Sequence, residues 1–203
     1  NGRATMKRKN GRTPGFTLIE LLVVITIIGL LAAILIPAVN KALRSAKRTR
    51  AMTQMRDLDG AVKRYFAEYN KMPVPAGFNG DATKEKDAFL GKDQAAVIEI
   101  LIGANTNFNP KKIVFLDLDP ASFRVKTVTE MLKALQVDHA PYRDPWWEPA
   151  SDPAGAVRDY GIFMDLNFDG KIAGTPFGDL RTTAAVYSRG EDNATGVPPY
   201  KTW

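Results

Sequence analysis

FTLIELLVVITIIGLLAAILI, residues 16–36, is the stretch whose reading decides the fold. It carries one charge, Glu20. At a rise of 1.5 Å per residue its ~21 residues reach about 30 Å, the thickness of the hydrocarbon core of a bilayer. An ordinary secretory signal has an apolar region of about 7 to 15 residues, shorter than this one and without a carboxylate. A plain signal anchor satisfies the same hydropathy but gives Glu20 no purpose. A carboxylate in a spanning helix costs about 2.5–3.5 kcal/mol on insertion scales, so a cation at similar depth is expected beside it. The stretch contains no Lys, Arg or His. The cation therefore comes from another chain, or from a backbone amine that proteolysis creates just upstream.

Upstream lie five bases (Arg3, Lys7, Arg8, Lys9, Arg12) and no acid, and the run Lys7-Arg8-Lys9-Asn10-Gly11-Arg12-Thr13-Pro14-Gly15 leads directly into Phe16-Thr17-Leu18-Ile19-Glu20-Leu21-Leu22-Val23-Val24-Ile25. This junction resembles the prepilin leader and first helix of type IV pilins and type II secretion pseudopilins. The resemblance implies cleavage between Gly15 and Phe16 by a prepilin peptidase/methyltransferase, which leaves a methylated Phe16 as first residue and Glu20 as fifth. It also implies self-assembly with identical or related pilin subunits, an inner-membrane assembly platform, and a single pass through the inner membrane with the head on the periplasmic side. The physics agrees, because in a staggered bundle the Phe16 amine of one subunit reaches Glu20 of its neighbour. Two groups that are each costly alone in lipid then become a pair that sets axial register.

Pro37 closes the apolar run; it removes the hydrogen bond to the Ala33 carbonyl and is expected to kink or loosen the helix, with Gly29 a second soft point. The resemblance adds that a Pro at the matching place accompanies local unwinding during filament assembly. A simpler reading makes Pro37 the membrane exit.

The formal charge of +6 invites a nucleic-acid reading, which the distribution removes. Outside residues 1–15 there are 23 bases against 22 acids; residues 41–64 hold eight bases and two acids, and residues 65–203 hold fifteen bases and nineteen acids. The chain is basic at its start and mildly acidic in its body, so no nucleic-acid partner is expected. Lys41, Arg44, Lys47, Arg48 and Arg50 follow the span closely and oppose the orientation that the leader favours. With the leader inside, as the resemblance requires, they face lipid headgroups or acidic heads of neighbouring subunits. The chain has no Cys and one His, His139, which excludes disulfides, thiolate nucleophiles and metal sites needing two imidazoles. No phosphate-loop, dinucleotide-binding, H-E-x-x-H or G-x-S-x-G pattern occurs. A non-catalytic protein is expected; the rival of another class is a signal-anchored enzyme using His139.

After Pro37 apolar residues recur at Val39, Leu43, Ala46, Met52, Met55, Leu58, Val62, Tyr65, Phe66 and Tyr69, three or four apart, so the helix resumes with one buried face. Asn70 to Gly77 contains two prolines and ends it. The chain thus divides into a leader (1–15), a membrane-spanning half of the first helix (16–37), an amphipathic half (38–70) and a globular head (71–203). Within the head a polar loop is expected over 78–92, a short helix over 94–103, a strand over 113–116 and a helix over 128–137. A hairpin is expected over 160–172 and a strand over 184–187. The fold class is α+β, with a long helix packed on a small antiparallel β-sheet head, as in pilins.

Asp144-Pro145-Trp146, Tyr187-Ser188-Arg189-Gly190-Glu191-Asp192 and the ending Thr202-Trp203 also resemble the major pseudopilin of type II secretion. That resemblance, together with the missing cysteines, favours a pseudopilus subunit driving protein export over a type IV pilus subunit for adhesion, twitching motility or DNA uptake. It further implies calcium (Ca2+) in the C-terminal loop, held by Asp192 with backbone carbonyls of Ser188 and Arg189; here Trp147 and Asn193 replace glycines of the pattern. A second calcium candidate comes from the residues themselves. Asp165, Asn167 and Asp169 stand at the first, third and fifth positions of a loop, with Gly170 at the sixth and Ile172 at the eighth. The twelfth position is Pro176, so the closing carboxylate is missing, and a plain hairpin turn competes with the metal reading. Trp146 and Trp147 are expected in the head core or at subunit contacts.

Overall fold

The computed structural model describes residues 16–75, 89, 91–123, 125–146, 159–190 and 200–203. The chain forms two compact units, Asn1–Arg44 and Ser45–Trp203. Helix α1, Leu18–Tyr69, contributes its first part to one and the remainder to the other. Pro37 lies inside α1, and the helix continues through it.

In the second unit α1 buries Ala51, Met55, Leu58, Ala61, Val62 and Tyr65, the stripe expected of a helix with one covered face. Against this stripe pack α2 (Gly91–Leu101), through Val97, Ile98 and Leu101, and α3 (Val128–Gln136), through Met131 and Leu135. Residues 128–136 begin with Thr127, whose hydroxyl accepts the Glu130 N–H while the Glu130 carboxylate accepts the Thr127 N–H, a reciprocal cap of the first turn.

Five short strands follow: β1 Gly161–Met164, β2 Ile172–Thr175, β3 Gly178–Leu180, β4 Ala184–Ser188 and β5 Tyr200–Lys201. They form a three-stranded antiparallel sheet ordered β1-β4-β5 and a separate β2–β3 pair. One face of β1 and β4, with Ile162, Met164, Ala184 and Val186, joins the helical core. The other, with Phe163, Ala185 and Tyr187, packs on Ile172 of β2 and Leu180 of β3. Every residue of β1 and β4 is therefore buried, which explains why neither shows a polar alternation. Gly161 faces Tyr187 across the sheet, and a Cβ there would lie 2.1 Å from the tyrosine ring, so a side chain at this position would force the ring to move.

Three sequence expectations change. Residues 113–116 are not a strand: Phe115 and Leu116 are buried, but their N–H groups bond to the Leu101 carbonyl at 2.8 and 3.2 Å. The Ile113 backbone is held by the Asn109 side chain, so the segment has no strand to pair with. The expected hairpin over 160–172 is also not formed, since β1 pairs with β4 and β2 with β3. The helix predicted from 94 begins at Gly91, three residues earlier. The remainder of the 78–92 loop expectation lies outside the described residues, apart from Phe89, which bridges to Ile162 of β1.

A buried glutamine ties the helices to the sheet. Gln94 Nε2 donates to the carbonyls of Tyr142 (3.1 Å) and Tyr160 (2.6 Å), and its Oε1 accepts the Tyr142 N–H at 2.6 Å.

Candidate functional site

At the start of α1 the polar groups of the first turn are satisfied locally. The Thr17 N–H and hydroxyl both donate to Glu20 Oε2, at 2.8 and 2.7 Å, and the Glu20 N–H donates back to Thr17 Oγ1 at 3.3 Å. Thr17-x-x-Glu20 is thus a capping box of the same form as Thr127-x-x-Glu130. Around it Phe16, Ile19, Val23 and Val24 line a shallow groove beside Glu20. All these side chains are exposed, and so is every large apolar residue from Leu18 (85%) to Ile36 (60%). None of the described residues covers this surface. Glu20 therefore serves its own helix end, which the expectation of a role toward a neighbouring chain did not include. Thr17 was missed for the same reason, although the Thr-x-x-Glu spacing was there to be read. Gly15 lies outside the described residues.

Beyond the apolar run, two of the five bases expected to face headgroups or neighbours turn to the head of their own chain. Arg48 lies over the Tyr200 ring at 5.4 Å, and Arg50 Nη2 meets Asp119 at 3.4 Å and donates to the Ser122 hydroxyl at 3.3 Å. Gln54 also donates to Ser122 and accepts the Tyr160 hydroxyl, so a polar seam joins α1 to residues 119–122 and to the start of β1.

In the head, Asp144 and Ser188 are both buried, and the Ser188 hydroxyl donates to Asp144 Oδ2 at 2.8 Å while accepting the Gly190 N–H at 3.0 Å. The Ser188 side chain thus clamps the Asp144-Pro145-Trp146 segment. Trp146 is buried and stacks on Tyr200, 5.2 Å between centroids and 3° between planes, as expected for a core tryptophan. Asp192, Asn193 and Trp147 lie outside the described residues, and with them the C-terminal calcium candidate. His139 is exposed just past α3, at a φ of 47°. Burial holds the Glu99 carboxyl above its ordinary value, and His139 opposes that shift.

The loop between β1 and β2 is organised by its own side chains. Asp165 Oδ2 accepts the Gly170 N–H at 2.9 Å, Asn167 Oδ1 accepts the Asp169 N–H at 3.0 Å, and Asp169 Oδ1 accepts the Lys171 N–H at 2.9 Å. Phe168 and Gly170 take positive φ of 59° and 84° to allow the turn. The structure thus brings Asp165, Asn167 and Asp169 onto one loop. Among the described residues no three His, Asp or Glu side chains gather.

A family model described as the prokaryotic N-terminal methylation motif matches residues 12–36. Among curated proteins the chain is 44% identical over 66 residues to the type IV major pilin protein PilA of Myxococcus xanthus, covering 32% of this chain and 30% of that one. It is 30% identical over 109 residues to the type IV major pilin protein PilE1 of Neisseria gonorrhoeae, covering 49% and 65%. It is 32% identical over 72 residues to the type II secretion system core protein G of Pectobacterium carotovorum, covering 36% and 46%. The chain thus spans between 30% and 65% of the length of these relatives. No solved structure matches it.

Proposed function

Because the chain belongs to the superfamily of type IV pilins and type II secretion pseudopilins, we propose that it is a non-catalytic structural subunit of a membrane-anchored helical filament. The observation that carries this reading is the first part of α1, apolar on every side and covered by none of the described residues. Such a surface demands lipid before assembly and neighbouring helices after it. Glu20 adds specificity. Its carboxylate caps its own first turn and, ringed by Phe16, Ile19, Val23 and Val24, retains a charge that the Phe16 amine of a neighbouring subunit offsets.

In this reading the prepilin peptidase/methyltransferase removes residues 1–15 and methylates Phe16, an inner-membrane assembly platform extracts the processed chain from the bilayer, and the head stands on the extracytoplasmic side. Intact-mass measurement of membrane-derived protein is expected to show loss of everything through Gly15 plus one methyl group; a mature start elsewhere overturns the processing. Glu20→Ala is expected to leave processing and head folding intact and to abolish filaments recovered by shearing, whereas filament yield at the wild-type level refutes the pairing.

The finer reading is a pseudopilus of a type II secretion-like system driving protein export. Its support is the Asp144-Pro145-Trp146 segment clamped by Ser188 next to Tyr187, and a chain without cysteine. A type IV pilus subunit is the second reading, favoured by the likeness to PilA and PilE1. Deletion of the gene in the source bacterium separates them: loss of exported enzymes supports the pseudopilus, and loss of long surface pili or twitching supports the pilus.

A further inference from the structure

The β1–β2 loop contains a group that nothing among the described residues explains. Asp165 is 1% exposed, and while its Oδ2 takes the Gly170 N–H, its Oδ1 is buried without a hydrogen-bond partner. Since Oδ2 of the same carboxylate bonds to the loop's sixth residue, the group is turned into the loop, and a buried carboxylate oxygen lacking a partner is costly. A hairpin gives it no purpose, because β1 and β2 are not paired with each other.

The neighbouring donors have the form a cation needs. Asn167 and Asp169 each use Oδ1 to accept an N–H two residues on, which fixes their side chains against the loop backbone and leaves further acceptor capacity on each. With Asp165 they put oxygen donors at positions one, three and five, followed by Gly170 at position six, where φ is 84°. Phe168, at position four, stacks on Phe66 of α1 with 5.5 Å between centroids, which fixes the loop to the helix.

We propose that Asp165, Asn167 and Asp169 form a calcium site, completed by the Lys171 carbonyl and water. Oxygen-only donors in an irregular arrangement suit calcium better than magnesium, which demands a near-ideal octahedron. No bidentate carboxylate closes the loop: position twelve is Pro176, and Asp179 is committed to the Gly174 N–H at 3.0 Å. Two carboxylates and no bidentate ligand place the dissociation constant at about 10⁻⁴–10⁻³ M, the range of extracellular modules. The inference stands apart from the filament reading, since it uses head residues alone.

The test uses the full chain purified in detergent, with calcium chloride as probe, followed by titration calorimetry and thermal unfolding. Binding of one calcium through this loop is expected, with the unfolding midpoint raised by about 3–5 °C at ten times the dissociation constant. Asp169→Asn keeps an acceptor for the Lys171 N–H and is expected to weaken binding about tenfold or more. Asp192→Ala is expected to leave binding through this loop unchanged. Absence of a calcium-dependent shift up to ~20 mM, far above the range of such sites, overturns the site. An equal shift with magnesium, full affinity in Asp169→Asn, or loss of all binding in Asp192→Ala overturns it as well. Asp165→Asn is the second variant; a folded protein that still binds calcium at wild-type affinity refutes the role given to the buried oxygen.

Discussion

The two parts of α1 belong to one helix and differ in what covers them. From Leu18 to Ile36 every large apolar side chain is exposed, whichever way it points. From Ser45 to Tyr69 the apolar residues narrow to a stripe, and that stripe, with Leu58 and Tyr65 fully buried, is covered by α2, α3 and the sheet. The lesson concerns who supplies the partner: a stripe is satisfied by its own chain, whereas an all-round apolar surface is satisfied only from outside it. The two capping boxes repeat the contrast. At Thr127-x-x-Glu130 the backbone N–H of Lys126, followed by the Thr127 hydroxyl and N–H, draws the Glu130 carboxyl below its ordinary value in an exposed setting. At Thr17-x-x-Glu20 the threonine N–H and hydroxyl also donate to the glutamate carboxylate, beside an apolar groove. The motif is shared, and only one copy lies among exposed apolar side chains.

The largest effect expected on this comparison comes from core truncation. Leu58→Ala removes a side chain at 0% exposure and is expected to cost about 2–5 kcal/mol of head stability. Leu22→Ala, at 55% exposure, is expected to change head stability by less than ~0.5 kcal/mol. Thermal unfolding followed by aromatic circular dichroism reads both, and equal costs would break the distinction. A middle-sized effect belongs to the caps. Thr127→Ala removes an acceptor from the first turn of α3 and is expected to cost about 1 kcal/mol, while Thr17→Ala leaves the unfolding of the head unchanged and lowers filament yield. A head midpoint that falls in Thr17→Ala tells against the separation of roles. The smallest effect is in pH. Since the folded Glu130 carboxyl lies below its ordinary 4.5, its contribution is present above that value and is lost as pH falls through the lower folded value. Glu130→Gln is expected to flatten this part of the acid limb of stability, and an unaltered limb would show that the cap does not titrate.

Legibility in the sequence followed the range of the interactions. α1 was readable over its whole length, because a 21-residue apolar run and a three-four spacing are both local patterns. α3 was readable from the periodicity of residues 128–137. The pairing of β1 was not, because its partner β4 lies beyond β2 and β3, and proximity in the chain suggested a hairpin instead. The 113–116 run has strand composition, yet a strand exists only where another offers its edge, and here a helix end and the Asn109 side chain take up the backbone. Glu20 stood out as a charge in an apolar run, but Thr17 escaped because that run was read for hydropathy and not for capping. Arg48 and Arg50 were assigned to headgroups because their targets, Tyr200 and Asp119, are far away in sequence.

The three hydrogen bonds of Gln94 carry a consequence for how this head can vary. Tyr142 and Tyr160 are both held at Gln94, the Tyr160 N–H bonds to the Tyr142 carbonyl at 3.3 Å, and Arg143 and Asp159 bridge just outside them. The segments that end at Arg143 and begin at Asp159 are therefore held side by side at one place. Doubling the length of an excursion closed in this way costs only about 0.6 kcal/mol of loop entropy. Insertions placed after Trp146 and before Asp159 are therefore expected to leave the helices and the sheet in register, whereas Asp144 and Trp146, buried against Ser188 and Tyr200, belong to the core and do not tolerate exchange. An affinity tag inserted between Trp146 and Asp159 is accordingly expected to cost the head little stability.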